Sequence, residues 1–122
     1  MIEMPNILRL AAGAAAHSAN RQGVIAGNVA NADTPGFKAR DIADFSPDDG
    51  FALRRNDARH FAGMSGQAEV FTLRDAAADP NGNTVDLEDQ VMRGIEAGRA
   101  HDRAVTVYRN NLDILRSALG RR

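Results

Sequence analysis

Between Leu87 and Leu119 a single stripe runs through Leu87, Val91, Ile95, Gly98, His101, Val105, Tyr108, Leu112, Leu115 and Leu119, each member three or four residues after the last. That spacing places all of them along one face of an α-helix. From Val105 onward the steps match the seam of a coiled coil. Asp86 is placed to cap the helix, and Glu88 and Asp89 sit in the first turn, where negative charge opposes the helix dipole. Gly120, Arg121 and Arg122 suit its end.

A second helix is expected at the other end of the chain. Ile7, Ala11, Ala14, Ser18, Ile25, Val29 and Ala32 form its stripe, interrupted at Arg21 or Gln22 and widened by Leu8, Ala12, Ala15, Ala19 and Ala26. Pro5 fits a first helical turn. From Pro5 to Ala32 the helix would run ~42 Å, longer than a compact domain of this size requires. Gly13, Gly23 and Gly27 each weaken it by roughly 1 kcal/mol relative to Ala, so it should fray alone. Asn31 and Asp33 favour its end, Thr34 is turned from helical angles by the proline after it, and Pro35-Gly36 fits the centre of a type II turn.

The middle is weakly patterned. Phe37 to Ile42 and Glu69 to Leu73 are candidates for extended structure, with Ser46-Pro47-Asp48-Asp49-Gly50 and Gly63-Met64-Ser65-Gly66 as turns or loop between them. Asp79-Pro80-Asn81-Gly82-Asn83 is a dense turn signal before the second helix. The expected fold is mainly α: two long terminal helices forming a hairpin, joined by an irregular, partly β-hairpin-like segment. Residues 1–36 and 84–122 are expected to make one domain, with 37–83 as an excursion that neighbours must hold in order.

Size and composition limit what this hairpin can bury. Of 122 residues 43% are hydrophobic, but many are alanine, only 5% are aromatic, and tryptophan is absent. Alanine favours helix and buries little area. Stripes of this length with so little else to cover them call for partners. A formal net charge of −1, with its basic residues scattered, gives no polybasic segment for nucleic acid or a membrane surface. With no cysteine there are no disulfides, thiol nucleophiles or thiolate metal sites. No run approaches the ~20 apolar residues of a membrane span. Leu10 to Ala19 imitates a signal peptide but has an Ala/Gly core and Glu3 ahead of it, so cleavage is not expected.

Around the first helix stop the chain reads Ala26-Gly27-Asn28-Val29-Ala30-Asn31-Ala32-Asp33-Thr34-Pro35-Gly36-Phe37-Lys38-Ala39. This closely resembles the Ala-Asn-x-Ala-Asn-x-x-Thr-Pro-Gly-(Phe or Tyr)-Lys signature of the flagellar rod and hook proteins. Asn28, Asn31, Thr34, Pro35, Gly36, Phe37 and Lys38 match it in place. Asn81 to Glu88 looks like the entry to the C-terminal helix of the proximal-rod type, and the short length agrees. The resemblance implies a non-enzymatic structural subunit whose terminal helices form a coiled-coil rod-core domain lining a hollow helical tube. Such a subunit transmits motor torque from the MS ring and lets later export substrates pass. It implies partners: other copies of the chain, the second proximal-rod and distal-rod proteins, a FliE-type adaptor, the MS-ring protein and the flagellar type III export apparatus. It also implies a place in the periplasmic rod of the basal body, reached without a cleaved signal peptide, and excludes membrane insertion. Some early-exported relatives carry Phe-x-x-x-apolar. Here the phenylalanines are followed four residues on by Asp41, Asp49, Arg55, Ser65 and Asp75, which leaves the export signal unassigned.

Each motif also has a plainer reading. Thr34-Pro35-Gly36 serves as a helix stop and turn, or as a subunit contact. Asn28 and Asn31 could cap backbone groups or bridge to a neighbour. Phe37 could anchor the turn locally or meet a partner. Gly94 and Gly98 permit close helix approach or are simply tolerated. The candidate assembly interface comprises Ile7, Leu8, Ile25, Val29, Leu87, Val91, Val105, Tyr108, Leu112, Leu115 and Leu119. No catalytic residue, cofactor or metal is expected. His17, His60 and His101 have no ligand spacing. Asp79-x-Asn81-x-Asn83 imitates a calcium loop, but its glycine is displaced to position 82 and Gln90 stands where a bidentate Glu is needed. The alternatives are another axial protein of the same family and, from a different class, a soluble helical adaptor.

Overall fold

The computed structural model describes residues 6–47 and 69–120. Pro5, most of the expected turn at 46–50, the one at 63–66, and Arg121 and Arg122 lie outside the described residues.

Two long helices dominate: α1, Asn6–Ala30, and α2, Leu87–Ala118. Between them β1, Arg40–Ile42, pairs antiparallel with β2, Val70–Thr72, with Asp41 opposite Phe71. Both strands fall inside the segments expected to be extended. Backbone bonds from Leu73 to Ala39 and from Ala43 to Glu69 continue the ladder at each end.

α1 ends two residues before Ala32. The Asn31 N–H is shared between the Gly27 and Asn28 carbonyls, and that of Ala32 reaches Val29, so the helix tightens to i→i−3 bonding. Thr34 then accepts from Phe37 N–H at 3.2 Å across Pro35 and Gly36, and Gly36 has φ +73°, as the expected turn requires. At α2 the Asp86 carboxylate accepts from the N–H groups of Glu88 and Asp89, satisfying donors the first turn leaves open. Leu119 N–H closes on Leu115 at the other end, where Gly120 takes φ +68°.

The helices lie antiparallel. Asn28 meets Gln90, Ile25 lies against Gly94, and Gln22 against Gly98, one order ascending as the other falls. A Cβ at Gly94 would sit 3.9 Å from Ile25 Cγ2, and one at Gly98 3.5 Å from Gln22 Nε2. The inner face of α2 is Gln90, Ala97 and Ala104, spaced by sevens, the repeat of a coiled-coil seam. α1 meets it with Leu8, Ala11, Ser18 and Ile25, all buried. On α2 the fully buried side chains are thus small or polar, and the large apolar ones buried in the seam, Leu8 and Ile25, come from α1.

Candidate assembly surface

Small seam residues let the helices approach but bury little area, so the joint that holds them must be found at the turn end. There Asn28, 0% exposed, donates to the Arg40 carbonyl at 2.6 Å and to Gln90 Oε1 at 2.8 Å, and accepts from Arg40 N–H at 3.0 Å. One side chain thus ties α1 to β1 and to α2. Asn83 gathers the end of α1: its Nδ2 lies within hydrogen-bond distance of the carbonyls of Asn31, Ala32 and Thr34, at 2.9, 2.9 and 2.8 Å. These are carbonyls that a helix terminus leaves without intrahelical partners. Its Oδ1 accepts from Val85 N–H.

The Thr34-to-Lys38 turn and the Asn81-to-Thr84 turn lock together. Gly36 N–H donates to Asn81, Thr84 N–H to Phe37, Lys38 Nζ to Gly82, and Thr84 Oγ1 accepts from Ala39 N–H. Gly82 has φ +84°, and a Cβ there would lie 3.5 Å from Gly36 Cα, so the two glycines let the turns stack backbone to backbone. Asn31 donates to the Gly27 carbonyl and accepts from the Thr34 hydroxyl, and the Arg40 guanidinium lies 5.8 Å from the centre of the Phe37 ring. Every side chain of the signature for which a bond is described is spent inside the chain. Pro35 contributes through its fixed φ.

One turn further up, Asp41 joins both helices to the strand pair. Arg21 grips it in a fork, Nε to Oδ1 and Nη2 to Oδ2 at 3.0 Å each, and Arg93 Nη1 reaches Oδ2 at 2.7 Å. Arg93 also holds Asp89, its neighbour one turn back, at 2.6 Å. Burial opposes ionisation of Asp41, but the bonds from Arg21, Ile42 N–H and Arg93 outweigh it and hold the carboxyl below the usual range. The bond to Asp41 raises the Arg21 pKa, and that to Asp89, followed by Asp41, raises Arg93. Among the described residues no buried side-chain polar atom lacks a partner.

Sequence reasoning placed none of Asp41, Asn83, Gln90 or Arg93 in this joint. Arg21 was the legible signal, since a cation interrupting an apolar stripe needs an anion in reach. Asn83 and Gln90, weighed above as positions of a failed calcium loop, are hydrogen-bonding elements of the fold.

With the joint assigned, the outer surface can be read. Leu87, Val91, Met92 and Ile95 are 52, 59, 60 and 46% exposed, and Val29 of α1 is 44%. At the far end of α2, Ile114 is 65% and Leu119 84% exposed. Ile7 is also exposed, while Val105, Tyr108, Leu112 and Leu115 are half-buried. Two of the expected interface residues are turned inward. Leu8 and Ile25 are buried in the intrachain seam, because the glycine and alanine positions of α2 leave room for them. Toward the open end of the hairpin a groove of about 480 Å³ lies between the helices, floored by Ala11, Ala14, Ala100 and Ala104 and walled by Leu10, Val107 and Phe45. Phe45 reaches it by lying over Gly13, where its ring is 5.6 Å from that of His17, while His17 Nε2 donates to the Ala43 carbonyl at 2.7 Å.

A two-helix hairpin locked at a Thr-Pro-Gly turn, with Leu87, Val91, Met92 and Ile95 of its second helix left outward, is the architecture of an axial assembly unit. The family model described as flagella basal body rod protein matches residues 8–38, which hold α1 and that turn. The chain belongs to the FlgB family of flagellar basal body rod proteins. It is 30% identical to the FlgB of Cereibacter sphaeroides (strain ATCC 17029 / ATH 2.4.9) over 106 residues, 81% of this chain and 82% of that one. It is 39% identical to the FlgB of Aeromonas hydrophila over 79 residues, 57% and 59% of the two chains, and 29% identical to that of Salmonella typhimurium over 109, 77% and 78%. The match thus spans about three-fifths of the Aeromonas relative's length. No helix among the described residues is long and apolar enough to cross a membrane.

Proposed function

We propose that this chain is a structural subunit of the flagellar proximal rod, without enzymatic activity, that polymerises into a hollow helical tube. The observation that carries it is the uneven burial of the hairpin: on α2 the seam buries Gln90, Ala97 and Ala104, while Leu87, Val91, Met92 and Ile95 face out. Solvent-facing apolar stripes of this length are stable liabilities in a monomer and ordinary core in an assembly. The subunit's helical ends, 1–36 and 84–122, act as one rod-core domain, with 37–83 as the excursion between them. Ile7, Val29, Leu87, Val91, Val105, Tyr108, Leu112, Leu115 and Leu119 form the assembly interface.

In this role the tube carries torque from the MS ring and passes export substrates along its lumen. Its partners are other rod proteins, the FliE-type adaptor, the MS-ring protein and the export apparatus, and it works in the periplasm after export without signal cleavage. The test is incorporation. Tagged chain should co-purify with basal bodies, and Val91→Asp should abolish incorporation and motility while far-UV circular dichroism stays helical. Absence of the unaltered chain from basal bodies, or normal incorporation of Val91→Asp, would remove the proposal.

A further inference from the structure

Asn81-Gly82 is the one asparagine–glycine step in the chain. Asparagine is among the chemically labile residues, and a following glycine neither shields its own nitrogen nor restricts the backbone that must turn. Loss of the amide begins when the Gly82 nitrogen gives up its proton and bonds to Asn81 Cγ. The Cγ–Nδ2 bond breaks, and ammonia leaves carrying that proton. Water then opens the five-membered imide at either carbonyl, which leaves aspartate or isoaspartate at position 81. The new N–Cγ bond takes the direction in which the Gly82 N–H pointed, so that N–H must first be free of any other acceptor.

Asn81 is exposed, and water reaches it. The turn nevertheless blocks the first step. The Gly82 N–H donates to the Asp79 carbonyl at 2.8 Å and so points away from Asn81 Cγ. Asn81 Oδ1 accepts from Asn83 N–H at 3.0 Å, which fixes the side chain. The main-chain carbonyls on either side are pinned as well: that of Asn81 accepts from Gly36 N–H at 3.0 Å, and that of Gly82 from Lys38 Nζ at 2.9 Å. With Gly82 packed on Gly36, neither peptide plane swings unless the two turns part.

We propose that Asn81 is a covalent modification site silenced by the interlocked turns: its amide is lost in molecules whose turn end has opened, and formation of isoaspartate then prevents that end from closing. An isoaspartyl linkage runs the main chain through the former side chain and lengthens it. Gly82 is thereby moved off Gly36, and Asn83 off the carbonyls of Asn31, Ala32 and Thr34 that its Nδ2 holds. Ordinary aspartate at position 81 keeps both the main-chain and the side-chain acceptor, so it is compatible with the fold. The step is irreversible in water, and it removes from the folding pool those chains that have stayed open longest.

The experiment ages the full chain in mildly alkaline buffer, either folded or held unfolded in concentrated urea. Peptide mass spectrometry follows amide loss at position 81 and tells aspartate from isoaspartate. Gly36→Ala, which strains the facing turn, is aged in the folded arm beside the unaltered chain. Folded, the unaltered chain should convert at least about tenfold more slowly than in urea, because reaction waits on opening of the turn. Gly36→Ala should convert at a rate between the two; if it does not fold, the two conditions applied to the unaltered chain decide alone. The aged products are then separated by chromatography and returned to native buffer. The aspartate form should unfold cooperatively, as Asn81→Asp does, and the isoaspartate form should not. Equal conversion in the two conditions, or a folded Gly36→Ala that converts no faster than the unaltered chain, would overturn the protection. An isoaspartate form with the unaltered unfolding midpoint would overturn its consequence.

Discussion

Asn28 of α1 donates to Gln90 of α2 at 2.8 Å, so the two long helices are joined by a buried amide pair where apolar contact would be the ordinary solution. The pair is fully satisfied, since Asn28 also bonds both backbone groups of Arg40. A satisfied buried amide fixes register, because sliding either helix leaves it without partners.

Asn28→Ala should therefore be among the costliest single substitutions in the chain. It strands the Arg40 N–H and carbonyl and Gln90 Oε1 together, and unsatisfied buried groups cost about 1–3 kcal/mol each, with partial relief from entering water. We expect a loss on the order of 3 kcal/mol in urea-unfolding experiments. A loss below about 1 kcal/mol would mean that the pair is not rigidly held.

The pH dependence follows from Asp41, whose folded-state pKa lies below the unfolded value of 3.8. A depressed pKa means the ionised form is favoured by folding. Its contribution is complete above the unfolded pKa and disappears as pH falls through the folded one. Asp41→Asn should be much less stable than the unaltered chain at pH 7, with Arg21 and Arg93 left without their shared anion. The gap should narrow steadily as pH drops below 3.8. Thermal unfolding of both proteins across that range checks it; a gap that widens in acid contradicts the sign.

The glycines divide into two groups with opposite expectations. A methyl at Gly94 would make ordinary contact with Ile25, and α2 would gain helix propensity, so Gly94→Ala should stabilise by up to about 1 kcal/mol. Gly36 has φ +73°, where an L side chain is strained, so Gly36→Ala should destabilise by roughly 1–2 kcal/mol. Unfolding midpoints of the two variants should move in opposite directions.

Leu112 and Leu115 are half-buried on the last turns of α2. Leu112→Asp and Leu115→Asp should block basal-body assembly and motility. Normal motility in both would take this end of the seam out of the interface.

The long helices, their stops and the turn were legible because their causes are local. Three-and-four spacing, an aspartate cap, and proline followed by glycine each act within a few residues. Even the brief strands fell within Phe37 to Ile42 and Glu69 to Leu73. The buried face of α1 was legible too, since Ala11, Ser18 and Ile25 of its stripe are all buried; what could not be read was which side of the first turns of α2 faces its partner. The sequence stripe there was drawn through Leu87, Val91 and Ile95, which are exposed, while the buried positions are Gln90, Ala97 and Ala104; from Gly98 to Leu115 the stripe is half-buried. Size predicts burial only when the chain itself does the burying. The joint was illegible for a different reason: Asn28 and Gln90 are 62 residues apart and Asn83 lies about 50 from the carbonyls it holds. No local rule marks which asparagine will find which carbonyl.

The placement of those bonds has a mechanical consequence. The ties at Asn28, Asn83 and Asp41 all belong to the half of the hairpin nearest its turn, so the molecule resembles a tuning fork, stiff at the yoke. Its prongs meet through Leu8, Ala11 and Ala104, apolar contacts without direction that resist sideways flexing far less than the bonded yoke. A unit of this shape can adjust the spacing of its tips to whatever lies beyond while the yoke keeps its geometry.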